Sequence, residues 1–197
     1  MASNRRIGKE ESETRHVLLR AAEALMREEG YAEVTSRKLA HRAGLKPQLV
    51  HYYFRTMGDL FAALFRQATA QQLARVEEAA RADEPLVRLF EISCDPATAG
   101  LQLEFLALAN HRKELHTQIA EFGRVLNARE AEIIIGAIGE EGLRRSGATA
   151  VELATIIQTA ARGLAFAGKF NAERHAMARD RVLGWLRDLA RKGPAAT

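Results

Sequence analysis

Apolar residues first recur at helical spacing in Val17, Leu18, Ala21, Ala22, Leu25 and Met26, which form one stripe along residues 14–29. Gly30 follows and predicts a left-handed terminator for that helix. Beyond it the pattern shortens. Thr35 offers a side-chain oxygen to cap a short helix reaching about Arg42, and Ala43-Gly44-Leu45 reads as a turn. Pro47, whose missing N–H is harmless in a first turn, opens a second short helix through Tyr53. Thr56 with Asp59 three positions on has the pattern of a capping box and starts a long helix to about Ala82. Further helices are expected near 85–93, 97–112, 114–141, 149–169 and 175–192. Their breaks are marked by Asp83-Glu84-Pro85, Asp95-Pro96, Ser146-Gly147 and the polar stretch after Phe170. No segment alternates as a strand would, and no repeat period appears. The expected fold is all-α: a loose arm at 1–13, a small three-helix head at 14–56, a larger helical body at 57–192 and a tail at 193–197.

Residues 35–53 have the packing requirements of a helix-turn-helix. Two short helices crossing steeply need a small residue at their contact, which Ala40 supplies, and a turn residue tolerant of positive φ, which Gly44 supplies. Leu39, Ala43, Leu45, Val50 and Tyr53 fall where side chains must face inward to hold the pair on the first helix.

Charge sharpens the picture. The net +4 resides in the first 56 residues, where eleven Lys/Arg meet seven Glu; the remainder is balanced. Between Glu33 and Asp59 there is no acid, while Arg37, Lys38, Arg42, Lys46 and Arg55 lie there with His41 and His51. A basic run on a helix-turn-helix suits double-stranded DNA. A helix entering the major groove presents its first and outward side chains to base edges, while neighbouring groups hold phosphates. The outward positions of the second short helix are Lys46, Gln48, Leu49, His51 and Tyr52. Gln48 can pair bidentately with adenine, Leu49 can meet a thymine methyl, and Lys46 can reach guanine or a phosphate. Thr35, Ser36 and Arg37 open the preceding helix, and Arg55 follows the second.

From about Arg15 to Phe65 the chain resembles the tetracycline-repressor (TetR) family of bacterial transcriptional regulators. The resemblance rests on Ala21-Ala22, Gly30-Tyr31, Thr35, Leu39-Ala40, Ala43-Gly44 and the aromatic run Tyr52-Tyr53-Phe54. It implies a homodimer on an inverted-repeat operator, released by a small-molecule effector, with dimerisation through the last two long helices. Three positions depart from the family pattern. The usual tyrosine within the recognition helix is His51, the usual phosphate-binding lysine at the start of the fourth helix is Met57, and the usual acid after it is Gly58.

The body is compatible with those implications. Ala160, Gly163, Leu164 and Ala167 give one late helix a small-residue face, and Val182, Trp185, Leu186 and Leu189 give the last helix an apolar stripe. Glu104, Asn110 and His111 lie among Phe105, Leu108, Phe122 and Leu126, a mixture that suits the lining of a pocket for an apolar or amphipathic effector.

Other functions find less support. No phosphate loop, nucleophile elbow or paired ligand set is present, so neither an enzyme nor a cofactor is expected. His111 and His116 are five apart rather than four, so no metal site is expected. Only Arg88 is near enough in sequence to activate Cys94, the single cysteine. An activator or a co-ligand-requiring regulator would carry the same pattern, and a non-specific architectural DNA binder is the remaining alternative. The polar N-terminus, the lack of a ~20-residue apolar run and the lone cysteine point to a cytoplasmic protein without a membrane partner.

Overall fold

The computed structural model describes residues 12–168 and 170–191. The expected N-terminal arm, apart from Ser12 and Glu13, and the expected tail lie outside the described residues. Those residues form nine α-helices and no strand: α1 Glu13–Glu29, α2 Ser36–Arg42, α3 Pro47–Tyr53, α4 Met57–Ala79, α5 Pro85–Ser93, α6 Pro96–Ala109, α7 Lys113–Ser146, α8 Ala150–Ala167 and α9 Ala172–Arg191. They divide into two compact units, residues 12–70 with 101–116, and residues 71–100 with 117–168 and 170–191. The head boundary expected at residue 56 thus falls inside the first unit.

In the first unit, Leu18, Leu19, Ala22, Leu25 and Met26 bury the predicted stripe of α1. Leu39, Ala40, Val50 and Phe54 from the following helices are buried too, as are Leu60, Phe61 and Leu64 at the start of α4. Phe65 meets Phe105 edge-on at 5.1 Å between ring centroids. Gly30 has φ 88° and ψ 163°, an extended conformation at positive φ rather than the left-handed helical one expected. The reason is local. The next residues wind into a 3₁₀ turn at Tyr31–Glu33, and the Tyr31 N–H donates to Glu104 Oε2 at 2.8 Å. A Cβ on Gly30 would stand 3.4 Å from that Oε2, in ordinary van der Waals contact, so it is the positive φ that favours glycine here.

In the second unit, Phe90 and Leu89 of α5, Leu126 and Ile134 of α7, Ala154 and Ile157 of α8 and Leu186 of α9 share one core. Arg129 grips Glu77 with two hydrogen bonds of 2.6 and 2.7 Å, and Arg187 reaches Glu84 at 3.0 Å. α8 begins with a full capping box between Thr149 and Glu152. α7 runs on to Ser146, past the expected end, with a break at Gly139. Cys94 is half-buried, and burial pushes its thiol up, away from the reactive thiolate.

Candidate nucleic-acid interface

The local sequence builds the head as anticipated. Thr35 Oγ1 accepts from the Lys38 N–H at 3.3 Å and fixes the entry of α2. Gly44 turns the chain at φ 67°, and Leu45 N–H donates back to Ala40 carbonyl oxygen at 2.9 Å. Pro47 is in the first turn of α3. With Val50 fully buried and Tyr53 hydroxyl bonded to Ser12 Oγ at 2.9 Å, the helix is held at its middle and its C-terminal end. Its remaining positions are therefore left to solvent: Lys46, Gln48, His51 and Tyr52 are exposed and Leu49 half-buried. Tyr52 packs edge-on against Tyr53 yet keeps 46% of its surface open.

The basic run is not uniform. Lys38 Nζ lies 2.7 Å from Glu29 and 2.6 Å from Glu33, and Arg42 Nη2 lies 2.6 Å from Glu28. These ion pairs hold the charged forms of Lys38 and Arg42 more firmly and turn both cations back onto α1 and the turn after it. Arg37, Lys46 and Arg55 are exposed and form no ion pair among the described residues. The three cations chosen from sequence as DNA contacts are the three left without acid. The two omitted from that set are neutralised.

The match of residues 18–64 to the family model described as "Bacterial regulatory proteins, tetR family" covers this whole motif. The head is of the tetR family. The fold beyond the TetR head is shared with solved structures. One, a transcriptional regulator from Rhodococcus sp. Rha1, has a TM-score of 0.72 and 22% identity over 91% of this chain and 99% of its own. A putative transcriptional regulator from Saccharomonospora viridis, solved in complex with choline, has a TM-score of 0.72 and 20% identity over 91% of this chain and 96% of its own. The regulator FadR from Bacillus subtilis, in complex with stearoyl-CoA, has a TM-score of 0.64 and 21% identity over 87% and 96%. Comparison with curated proteins returns no match.

The departure at the start of α4 acquires a structural account. Thr56 and Asp59 cap α4 reciprocally at 3.0 and 3.1 Å, and Met57 is half-buried. At Gly58 a Cβ would stand only 2.9 Å from Arg112 Nη1. The missing side chain is what admits this guanidinium, which also lies over the Phe61 ring, 5.9 Å from its centroid. Arg112 is exposed and has no ion pair among the described residues. Sequence reasoning missed it, because 54 positions separate it from Gly58. The only signal was the glycine itself.

The residues expected to line a pocket are divided between the two units. Glu104 is engaged with the Tyr31 N–H, Phe105 and Leu108 are buried in the first unit, and Asn110 and His111 are exposed. Leu126 belongs to the core of the second unit, and Phe122 packs against it. The expected dimer residues also separate. Ala160, Gly163, Ala167 and Trp185 reach the surface, whereas Leu186 is buried and Leu164, Val182 and Leu189 pack on the core of their own chain. The exposed set on α8 and α9 includes residues not anticipated: Ile156, Phe166 and Met177, with Phe170 between the helices at 79% exposure.

The second unit also holds a buried carboxylate. Glu130 is 1% exposed, and burial pushes it up to about 7 despite the hydrogen bond from Gln158 and the charge of Arg162. A carboxyl whose pKa rises on folding stabilises the fold most when protonated. Its contribution is complete below the ordinary glutamate range and is lost as the pH rises through about 7. Glu130→Gln should therefore gain stability over wild type as pH rises from 4.5 to 7, by about 3 kcal/mol at one pH unit per 1.4 kcal/mol. Urea melts of both proteins across that interval check it; parallel curves would place the titration elsewhere.

Proposed function

We propose that this protein is a dimeric transcriptional regulator that reads an inverted-repeat operator through α3 and is released from it by a small-molecule effector. The observation that carries the reading is the sorting of charge on the head. The basic residues flanking α3 are unpaired, those behind it are neutralised, and the face between presents Gln48, His51 and Tyr52. A merely solvated basic surface has no reason to be sorted in this way.

The exposed apolar strip on α8 and α9 supports pairing with a second copy, since large exposed patches of this kind mark interaction surfaces. Two heads then read half-sites ~34–36 Å apart. The ligand complexes of the choline-bound and stearoyl-CoA-bound relatives support effector control. An effector acts through its differential affinity for the DNA-competent and DNA-incompetent states.

Selection of binding sites from random DNA, followed by footprinting, tests the reading: protection of a single asymmetric half-site would overturn it. The same DNA separates the roles of the head residues. Gln48→Ala is expected to reduce discrimination between bases by ~1–3 kcal/mol, while Arg37→Ala weakens every sequence alike. Equal losses on operator and random DNA for Gln48→Ala would remove that residue from base reading.

A further inference from the structure

In the second unit two opposite charges are drawn inward without touching directly: Glu130 is buried and Arg162 half-buried. Gln158 stands between them: its Nε2 donates to Glu130 Oε2 at 2.6 Å, and its Oε1 accepts from Arg162 Nη2 at 2.7 Å. One carboxamide thus links carboxylate to guanidinium, offering a donor to the first and an acceptor to the second. Each ion retains a buried atom with no protein partner, Oε1 of Glu130 and Nε of Arg162. Buried polar atoms are seldom left so, because an unmade hydrogen bond there forfeits solvation and gains nothing in return.

The unmet needs repeat the pattern that Gln158 already satisfies: one acceptor awaiting a donor, and one N–H awaiting an acceptor. The surroundings add two restrictions. Above about pH 7, where Glu130 is ionised, the pair is neutral in sum, so a charged guest would leave an uncompensated charge in a low-dielectric core. Leu126 and Ile134, one helical turn before and after Glu130 on α7, and Ile157, next to Gln158 on α8, all belong to the apolar core of this unit, which favours an apolar body behind the polar head. We propose that Glu130 and Arg162 hold the head of a small-molecule ligand, and that this head is an uncharged carboxamide-type group, N–H to Glu130 and C=O to Arg162, carrying an apolar tail. The proposal rests on the effector reading above and names the chemistry of the effector. It also moves the polar anchor of the site away from Glu104, whose carboxylate is already occupied.

The test uses the full chain and three probes of equal chain length: hexanamide, hexanoate and hexylammonium. Hexanamide is expected to raise the melting temperature with saturable dependence at about pH 8.5, where Glu130 is ionised, and the two charged probes are not. In the double variant E130M/R162M both ions are replaced together, so neither charge is left unpaired although Gln158 loses both partners, and a cooperative melt without ligand verifies that it folds. There the hexanamide affinity is expected to fall at least tenfold, the loss typical of a hydrogen bond to a charged group. Absence of any hexanamide effect, with the two atoms bridged by water only, overturns the proposal. So does equal hexanamide binding by the double variant, and so does tighter binding of either charged probe. Release of selected DNA, measured in parallel, keeps the two readings apart. Hexanamide binding without release leaves this site standing and removes effector control, whereas release by other compounds with no amide binding does the reverse.

Discussion

Gly163→Arg is expected to convert the protein into a folded monomer and to lower its affinity for an inverted-repeat site by two to four orders of magnitude. Gly163 is exposed on α8, and a Cβ there would meet nothing within 4 Å of its own chain. Nothing within the chain therefore opposes a long side chain at this position. The helix itself gains, because glycine in a helix interior is worse than an ordinary residue by about 0.5–1 kcal/mol. Any loss must then arise from a second copy that brings a helix against this face, where a guanidinium would be both bulky and desolvated. The affinity figure follows from the loss of linkage between two heads, worth 10²–10⁴ in typical bivalent systems. Sedimentation should show the monomer mass with a melting temperature at or above wild type. A variant that remains dimeric would move the dimer interface off α8.

The same two helices show how far the sequence could be read. Every helix expected from periodicity and caps is present, because caps and breaks are local: Thr35, Gly44, Pro47 and the Thr56–Asp59 pair act within four residues of themselves. The solvent-facing residues of α3 were legible for the same reason, since burial of Val50 fixes which side of a seven-residue helix faces out. On α8 and α9 apolar residues occupy more than one face, and periodicity alone cannot say which face meets the chain's own core. Leu186 and Trp185 are adjacent and equally apolar, yet one is 7% and the other 63% exposed. The polar residues of α6 misled for a related reason. Glu104 among leucines looks like a pocket group, and its partner, the Tyr31 N–H, lies 73 positions away. In the Glu130–Gln158–Arg162 chain, Gln158 and Arg162 are an i, i+4 pair that spacing could connect, but Glu130 on α7 lies 28 positions from Gln158 and no spacing rule reaches it.

Arg112→Ala is expected to flatten the salt dependence of DNA binding, and Met57→Lys is expected to restore it. The start of α4 offers free N–H groups and the positive end of a helix dipole, a setting that favours a phosphate. Here the lysine usual in the family is Met57, and the guanidinium of Arg112 occupies the space vacated at Gly58. Each phosphate neutralised contributes ~0.9 to the slope of log K against log[salt], so a dimer losing two contacts should flatten by roughly 2. Over a fourfold rise in salt that amounts to about a tenfold difference in affinity. Loss should be equal on all sequences, since backbone contacts position the protein without reading bases. In the Arg112→Ala background, Met57→Lys should steepen the slope again by roughly 2; in the wild type it should add less, because the phosphate already has its cation. Gly58→Ala provides a second route, because its methyl group would stand 2.9 Å from Arg112 Nη1 and displace it. Equal steepening by Met57→Lys with and without Arg112 would show that the two side chains serve different phosphates. A change in the order of preferred operators would mean that α4 is docked against bases, and that α3 is not the reading helix.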